Sequence, residues 1–486
     1  MTRLVVGPFN RVEGDLELTL DIEEGRVASA RVAAPLYRGF EQILVGRPAA
    51  DALSIAPRIC GICSVSQSMA AAAGLRALTG VKPPPNGELA ANIAHAAENI
   101  ADHLTHFYIF FMPDFARDLY AGESWFGPVQ ARFKAISGAA AGEALPARAR
   151  LLHVMGLIAG KWPHSLAFQP GGVTRALDLG EKMRLIGVFG EFRAFLEKVL
   201  FAAPLEKVVE ISTPEALAAF SEGQGDFAAF LRLGDSLKLR ELGRIALPLL
   251  SFGAYESAAG HLFSPGIFDP AMGEARALAD AGIAEDADFS FLRETSRDPA
   301  LAINTPDMAR EGAYSWAKAP RLEGSPAETG AVARQAVHGN PLVRALIAES
   351  GSTNVFVRVV ARVMEIARLT LAAEAWARAI RLNESFCETP PPLLRGEAVG
   401  QASAVGRVEA ARGALGHWIS VEKGVIQRYQ IIAPTTWNFS PRDAEGTPGP
   451  LEQALEGVKV GEAGAKSPAI QHVVRSFDPC MVCTAH

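Results

Sequence analysis

Several things are scarce in this chain, and each scarcity excludes something. Five cysteines among 486 residues cannot staple a protein of this size with disulfides. No apolar run approaches the roughly 18 residues that a helical membrane span requires. The opening MTRLVVGPFNRVEG lacks the charged-then-apolar build of a signal peptide. A net charge of −6 provides no general attraction for nucleic acid or an anionic membrane. Repeats are missing, and no Gly/Ser/Pro linker divides the chain. What is present is 49% hydrophobic and 21% charged residues, the composition of a globular protein with a deep core. A soluble, cytoplasmic protein is expected, although a chain of this kind can also be exported bound to a partner.

Periodicity places the elements. LELTLDIEEGRVASARVA alternates around an EEGR turn and predicts a hairpin. RGFEQILVGR and DALSIAPRICGICSVSQSMAAAAGLRAL read as helical, with the CxxC at the loop entering the Ala-rich helix because Pro57 lies just upstream. GELAANIAHAAENIADHLTHFYIFF predicts a long buried helix ending at MPDF. GGVTRALDLGEKMRLIGVFGEFRAFLEKVLFA predicts another, with Thr174 as N-cap. Between about 202 and 330 the pattern loosens into short strands (KVVEIS, RIALPLLSFGAY) and an acidic run, AGIAEDADF, expected to be solvated surface. NVFVRVVARVMEIARLTLAAEAWARAIRL predicts a third long helix, and HWISVEKGVIQRYQIIAP a hairpin with a Lys-Gly turn. The expected fold class is mainly α with β-hairpins (α+β). It forms one large domain over residues 1–486, with an N-terminal hairpin at about 3–35 and a C-terminal hairpin and tail at about 405–486.

Four of the cysteines form two CxxC pairs, Cys60/Cys63 in RICGIC and Cys480/Cys483 in DPCMVCTAH. Cys387 stands alone and is expected to be a buried apolar residue. One CxxC is weak evidence: a redox pair, half a zinc site or two core residues would all give it. The pairs lie over four hundred positions apart, so four thiolates meet only if the fold brings the chain ends together. Spacing alone leaves zinc and a redox-active metal equally open.

The flanking residues resemble the large subunit of the nickel–iron hydrogenases, which carries an early RxCGxC and a late DPCxxCxxH. NRVEG, RGFEQILVGR, ADHLTHFY, GGVT, ARGALGHWI, APTTWN and SPRD are similar to family segments, in the family's order. The resemblance implies a hydrogenase that cleaves H2 heterolytically at a Ni-Fe(CN)2(CO) centre. Soft thiolates suit such a metal pair. Cys60 and Cys480 would bind nickel terminally, while Cys63 and Cys483 would bridge to iron. The diatomic ligands imply maturation proteins. Glu13 of RVEG would take the proton, and Arg412, Asp102 and Asp478 would form a polar canopy over the open metal face. A buried guanidinium needs carboxylates to offset its desolvation. His486, with Glu41 and the backbone carbonyl of Ile431, would bind a magnesium-type ion, a hard cation that prefers oxygen donors. The chain end would then latch the site shut. Other family members carry an extension beyond this histidine that is removed once nickel is in; a mature form and a gene without the extension both fit.

Four departures stand out. Gln67 replaces a common histidine that hydrogen-bonds a bridging sulfur, and an amide can donate but cannot become cationic. Ile62 replaces valine, Phe110 follows HFY where many relatives carry leucine, and Ala411 replaces a proline. The first three resemble the regulatory, hydrogen-sensing branch, which turns over slowly and signals to a histidine kinase. Ile62 and Phe110 are expected to narrow the gas passage. The alternative is a respiratory or redox-linked uptake hydrogenase. Either way the resemblance implies an iron–sulfur small subunit, as a heterodimer or a dimer of heterodimers. The electron-carrying clusters would sit in that partner, since no cysteines remain here for them.

Overall fold

A computed structural model describes residues 2–258, 260–279, 282–389, 400–461 and 464–486. Strands Thr2–Val6, Glu17–Glu23 and Arg26–Ala33 form an antiparallel meander with Leu18 opposite Val32 and Leu20 opposite Ala30. The alternation puts Leu16, Leu18 and Leu20 in the core, as the period of two requires. Glu452, from the C-terminal part of the chain, accepts the Val32 N–H at 2.9 Å. The N-terminal sheet is thus fastened to the other end of the molecule.

The centre is helical. Helices Pro85–Thr105 and Val355–Ala379 pack against each other, and both are apolar over most of their surface. Asn354 caps the second by accepting the Val357 N–H. The first widens into a π turn over His106–Phe111 and a 3-10 turn over Met112–Ala116. Pro113 explains the change, since it has no N–H to give and its ring blocks the preceding turn. Helix Ser64–Thr79 lies under a three-stranded antiparallel sheet, Gln401–Ala410, Gly413–Glu422 and Val425–Ile432. A Cβ on Gly406 would come within 1.9 Å of the Ala70 carbonyl oxygen, so only glycine lets strand and helix approach this closely. Among the described residues no helix is long and apolar enough to cross a membrane.

Four expectations fail locally. Thr174 is not a cap: Gly172–Val173 pairs with Phe168–Gln169, and the helix runs Leu179–Phe195 behind Asp178. Asp178 and Glu181 form a reciprocal capping box that satisfies two free donors at once, which a lone threonine cannot match. KVVEIS falls on a short helix, Leu205–Val209, because Pro204 starts a turn and Leu205 and Val208 bury at helical spacing. Among its described residues, the acidic run is solvated only at Asp288. Glu285 and Asp286 are 1% and 3% exposed, on strand Ile283–Asp286 paired with Ala319–Leu322. Buried Lys318 is the reason, since its ammonium needs the Glu285 carboxylate. Cys387 is half-buried rather than buried.

Candidate metal centre

The first CxxC follows a 3-10 turn, Ala56–Ile59, that contains Pro57; Cys60 is extended and Cys63 stands at the N-cap of helix Ser64–Thr79. The second follows helix Pro468–Ser476, with Asp478 in a left-handed conformation (φ 59°) and Met481–Cys483 in a single 3-10 turn. The two chain ends are stitched together. The Met481 N–H donates to the Glu13 carbonyl at 2.7 Å, and the Glu13 N–H donates to that of Pro479 at 3.4 Å.

The sulfurs converge. Cys60 Sγ lies 3.6 Å from Cys480 Sγ, Cys63 Sγ 3.3 Å from Cys483 Sγ, and Cys480 and Cys483 are 3.2 Å apart. These separations are far longer than the roughly 2.05 Å of a disulfide. They match sulfurs sharing a metal at about 2.3 Å, which sit about 3.2–3.8 Å from one another. Cys60, Cys480 and Cys483 are buried, and Cys63 is half-buried. Cys60 is held well below the usual thiol range, first because the Cys480 thiol hydrogen-bonds to it, then through Cys483 and Cys63. Four converging soft donors, three of them buried, fit a nickel–iron pair.

Glu13 sits beside this cluster, half-buried. Burial raises its carboxyl, the neighbouring Cys60 adds to the rise, and Arg412 opposes it. Arg412 Nη1 lies 2.7 Å from Asp102 Oδ2 and Nη2 3.2 Å from Asp478 Oδ1, with Nε donating to the Asp478 carbonyl at 2.8 Å. Burial pushes Asp102 up to about 7 against the pull of Arg412. Arg412 is itself fixed from behind. Arg334 donates to the carbonyls of Ala410 (2.7 Å) and Ala411 (3.1 Å) and pairs with Glu365 and Glu409. Glu365 in turn holds His103, the neighbour of Asp102, at 3.2 Å.

Gln67, one turn into the helix after Cys63, accepts from His417 Nε2 at 2.8 Å, and His417 Nδ1 takes the Tyr429 hydroxyl at 2.8 Å. Its amide nitrogen is buried and has no hydrogen-bond partner, so a donor is left over. Ile62 packs partly buried against the cysteine-bearing core. Phe110 is half-buried on the π turn, its carbonyl taking the Arg11 guanidinium at 3.1 Å.

Glu41 and His486 also meet, with Oε1 and Nε2 3.4 Å apart. Ile431 contributes its N–H to Glu41 Oε1 at 2.8 Å, and Asn304 Nδ2 binds Oε2 at 2.5 Å. Burial alone would raise Glu41; His486, Lys318 and the Ile431 N–H more than offset it and hold it below the usual range. Lys318 also bonds Glu285 and, at 2.9 Å, Gln430. Asn304 Oδ1 and Glu285 Oε1 are buried without hydrogen-bond partners. A carboxylate, an imidazole and unsatisfied oxygens nearby fit a hydrated hard cation. Sequence reasoning missed Lys318, Glu285, Arg334 and Glu98. For Glu98 a signal existed, because it and Asp102 are carboxylates four apart on an otherwise apolar helix face.

The family described as nickel-dependent hydrogenase matches residues 38–121 and 141–486. The periplasmic [NiFeSe] hydrogenase large subunit of Desulfomicrobium baculatum is 26% identical over 100% of this chain and 95% of its own. The hydrogenase-2 large chain of Escherichia coli K12 is 26% identical over 100% and 97%. The solved structure of H2-activated Dm. baculatum [NiFeSe]-hydrogenase superposes with a TM-score of 0.85 at 26% identity, covering 100% of both chains. The four converging thiols occupy a fold matched from end to end, and the chain belongs to the nickel-dependent hydrogenase family.

Proposed function

We propose that this chain is the H2-cleaving subunit of an uptake-type nickel–iron hydrogenase, with Glu13 as the proton acceptor. The observation that carries the reading is the backbone stitch between Glu13 and the Pro479–Met481 segment. It fixes a carboxylate of raised pKa against the cysteine cluster, where a general base has to lie. When bound, a nickel–iron pair with CO and cyanide ligands supplies heterolytic H2 cleavage. The chain's own residues do the rest. Cys60, Cys63, Cys480 and Cys483 would hold the pair through their thiolates, with Cys63 and Cys483 the two that would be shared with iron. The Arg412, Asp102 and Asp478 canopy fixes charge over the open face and keeps it dry. Glu13 receives the released proton on its carboxylate. Glu41, His486 and the backbone carbonyl of Ile431 would hold a magnesium-type ion, which would keep the C-terminal cysteines seated.

An iron–sulfur small subunit is the partner, taking electrons from the centre. Replacing Glu13 by glutamine tests the reading. Nickel and iron content should stay unchanged while H2/D+ exchange falls about 100-fold or more, the usual scale for a lost general base. Normal exchange at full metal content would place the proton route elsewhere.

A second reading is a regulatory hydrogen sensor of slow turnover that signals to a histidine kinase in the cytoplasm. It rests on Gln67, Ile62 and Phe110, and gains some support from the engagement of Gln67 with His417. The relative named as a periplasmic hydrogenase favours uptake over a cytoplasmic sensor. Rapid H2 oxidation with an artificial acceptor would support uptake; slow oxidation with H2-dependent control of a kinase would support sensing.

A further inference from the structure

Helix Ser64–Thr79 begins directly after a metal-binding cysteine, which creates a local difficulty. The first N–H groups of a helix have no partners within it and are normally satisfied by the N-cap side chain. Here the N-cap is Cys63, whose side chain caps nothing; its sulfur faces Cys483 instead. Val65 and Ser66 are buried, so water cannot serve their N–H groups.

The partner comes from another helix. Glu98 Oε2 accepts the Val65 N–H at 2.8 Å and Trp162 Nε1–H at 3.0 Å. Glu98 Oε1 accepts the Ser66 N–H at 2.9 Å and the Ser66 hydroxyl at 3.0 Å. Glu98 is 2% exposed. An ionised carboxylate is an acceptor only, with about four sites, and here four donors surround it. A protonated acid would have to aim its own O–H at one of those donors. Burial works the other way and raises the group to about 7.

The surroundings tie Glu98 to the cysteine turn from both sides. It precedes Asp102 by one helical turn on the same face. Trp162 leads into Pro163, the nearest neighbour of Gly61 in the CxxC, and His164 Nδ1–H donates to the Pro57 carbonyl at 2.8 Å.

We propose that Glu98 is a positioning residue for the Cys60–Cys63 turn: it caps helix Ser64–Thr79 in place of Cys63, frees that sulfur for the metal centre, and sets a buried negative charge behind it. This rests on the nickel–iron reading, so infrared bands of CO and cyanide in the wild-type heterodimer come first. If they are missing, that reading fails and not this one.

With the bands present, Glu98→Gln should keep its nickel and iron and move the CO band to higher frequency, because a negative charge that enriches the centre is gone. Amide exchange in the 62–70 segment should rise roughly tenfold, the effect of losing one charge-assisted hydrogen bond. Glu98→Ala should lose metal as well. A merely structural cap would alter exchange without moving the CO band, so an unmoved band at full metal content overturns the proposal. If neither Glu98 variant accumulates, Trp162→Phe decides. The indole N–H helps keep Glu98 ionised, so its loss shifts Glu98 toward the neutral acid: the CO band should move to higher frequency, as in Glu98→Gln, and exchange should rise. An unmoved band there is equally fatal.

Discussion

Replacing Arg412 by methionine removes the cation from between two buried carboxylates. Its guanidinium is 2.7 Å from Asp102 and 3.2 Å from Asp478, with all three side chains buried. Removing one partner of a buried pair costs about 3–5 kcal/mol, because the stranded charge cannot return to water. The lost bond to the Asp478 carbonyl adds about 1 kcal/mol. The carboxylates can escape part of this by taking up protons, which gives the effect a pH dependence. Burial already holds Asp102 at about 7 while Arg412 pulls it down. For Asp478, burial is outweighed by Arg412, and the group stays below its usual range. Without Arg412 both should rise. The variant's native state then binds protons that its unfolded chain releases above about pH 4, so its stability falls as pH rises. The gap to wild type should be smallest near pH 5 and reach about 3–5 kcal/mol by pH 8. Denaturant midpoints of the assembled protein from pH 5 to 8, with metal content measured alongside, read this directly. Adding Asp102→Asn should restore part of the loss at pH 8 by removing one stranded charge. A gap that ignores pH, or a double variant in which the losses simply add, would refute the reasoning.

Cys480→Ser should purify with little nickel or iron, since a hard hydroxyl replaces a soft thiolate; elemental analysis at full metal content would count against the site. Ile62→Val with Phe110→Leu should make H2 oxidation sensitive to air at unchanged metal content, because each swap shortens a side chain expected to line the gas passage. Equal rates with and without oxygen would remove the passage argument. Glu452→Gln tests burial far from the centre. Burial raises Glu452 to about 7 in the fold, so its contribution is fully present below about pH 4.5 and lost as pH rises through 7. Relative to wild type, the variant should gain up to about 3 kcal/mol over that window, and a pH-independent difference would disprove it.

Some of this was legible because it depends on short-range pattern. Both hairpins, the helices after Cys63 and Asn354, and the entry of the first CxxC follow from alternation, 3.6-residue period and Pro57. The failures differ in cause: the acidic run has a partner distant in sequence, whereas Thr174 and KVVEIS turn on nearby pairing, capping and Pro204. AGIAEDADF reads as solvated until Lys318 arrives at the start of its own partner strand, Ala319–Leu322. Thr174 reads as a cap until Gly172–Val173 pairs as strand and the Asp178/Glu181 box forms beyond it. Glu98 was not singled out, because only the fold shows that Cys63 leaves its own helix uncapped. The cysteines, Glu13, the canopy and the Glu41/His486 pair were found through flanking motifs. Spacing alone left zinc open.

The same dependence on distant partners explains why so much chemistry can sit in a C-terminal segment. Tails usually fray. Here residues 478–486 are buried, except for half-buried Val482, and contacts from several other parts of the chain hold them. Glu13 bonds the backbone of Met481. Arg38 Nη2 donates to the Val482 carbonyl at 2.5 Å. The Thr435 hydroxyl accepts the Cys480 N–H at 3.2 Å, and the Thr436 hydroxyl donates to the Thr484 carbonyl at 2.9 Å. Glu41 faces His486. The segments NRVEG, RGFEQ and APTTWN therefore have a shared physical task, which is to dock this tail. Cys480 and Cys483 reach Cys60 and Cys63 only when that docking is complete, so closing the four-sulfur cluster and completing the fold are one event. Metal affinity and tail order would then be linked quantities: whatever loosens Thr435 or the Glu13 backbone would weaken the hold of the four sulfurs on metal without touching a ligand.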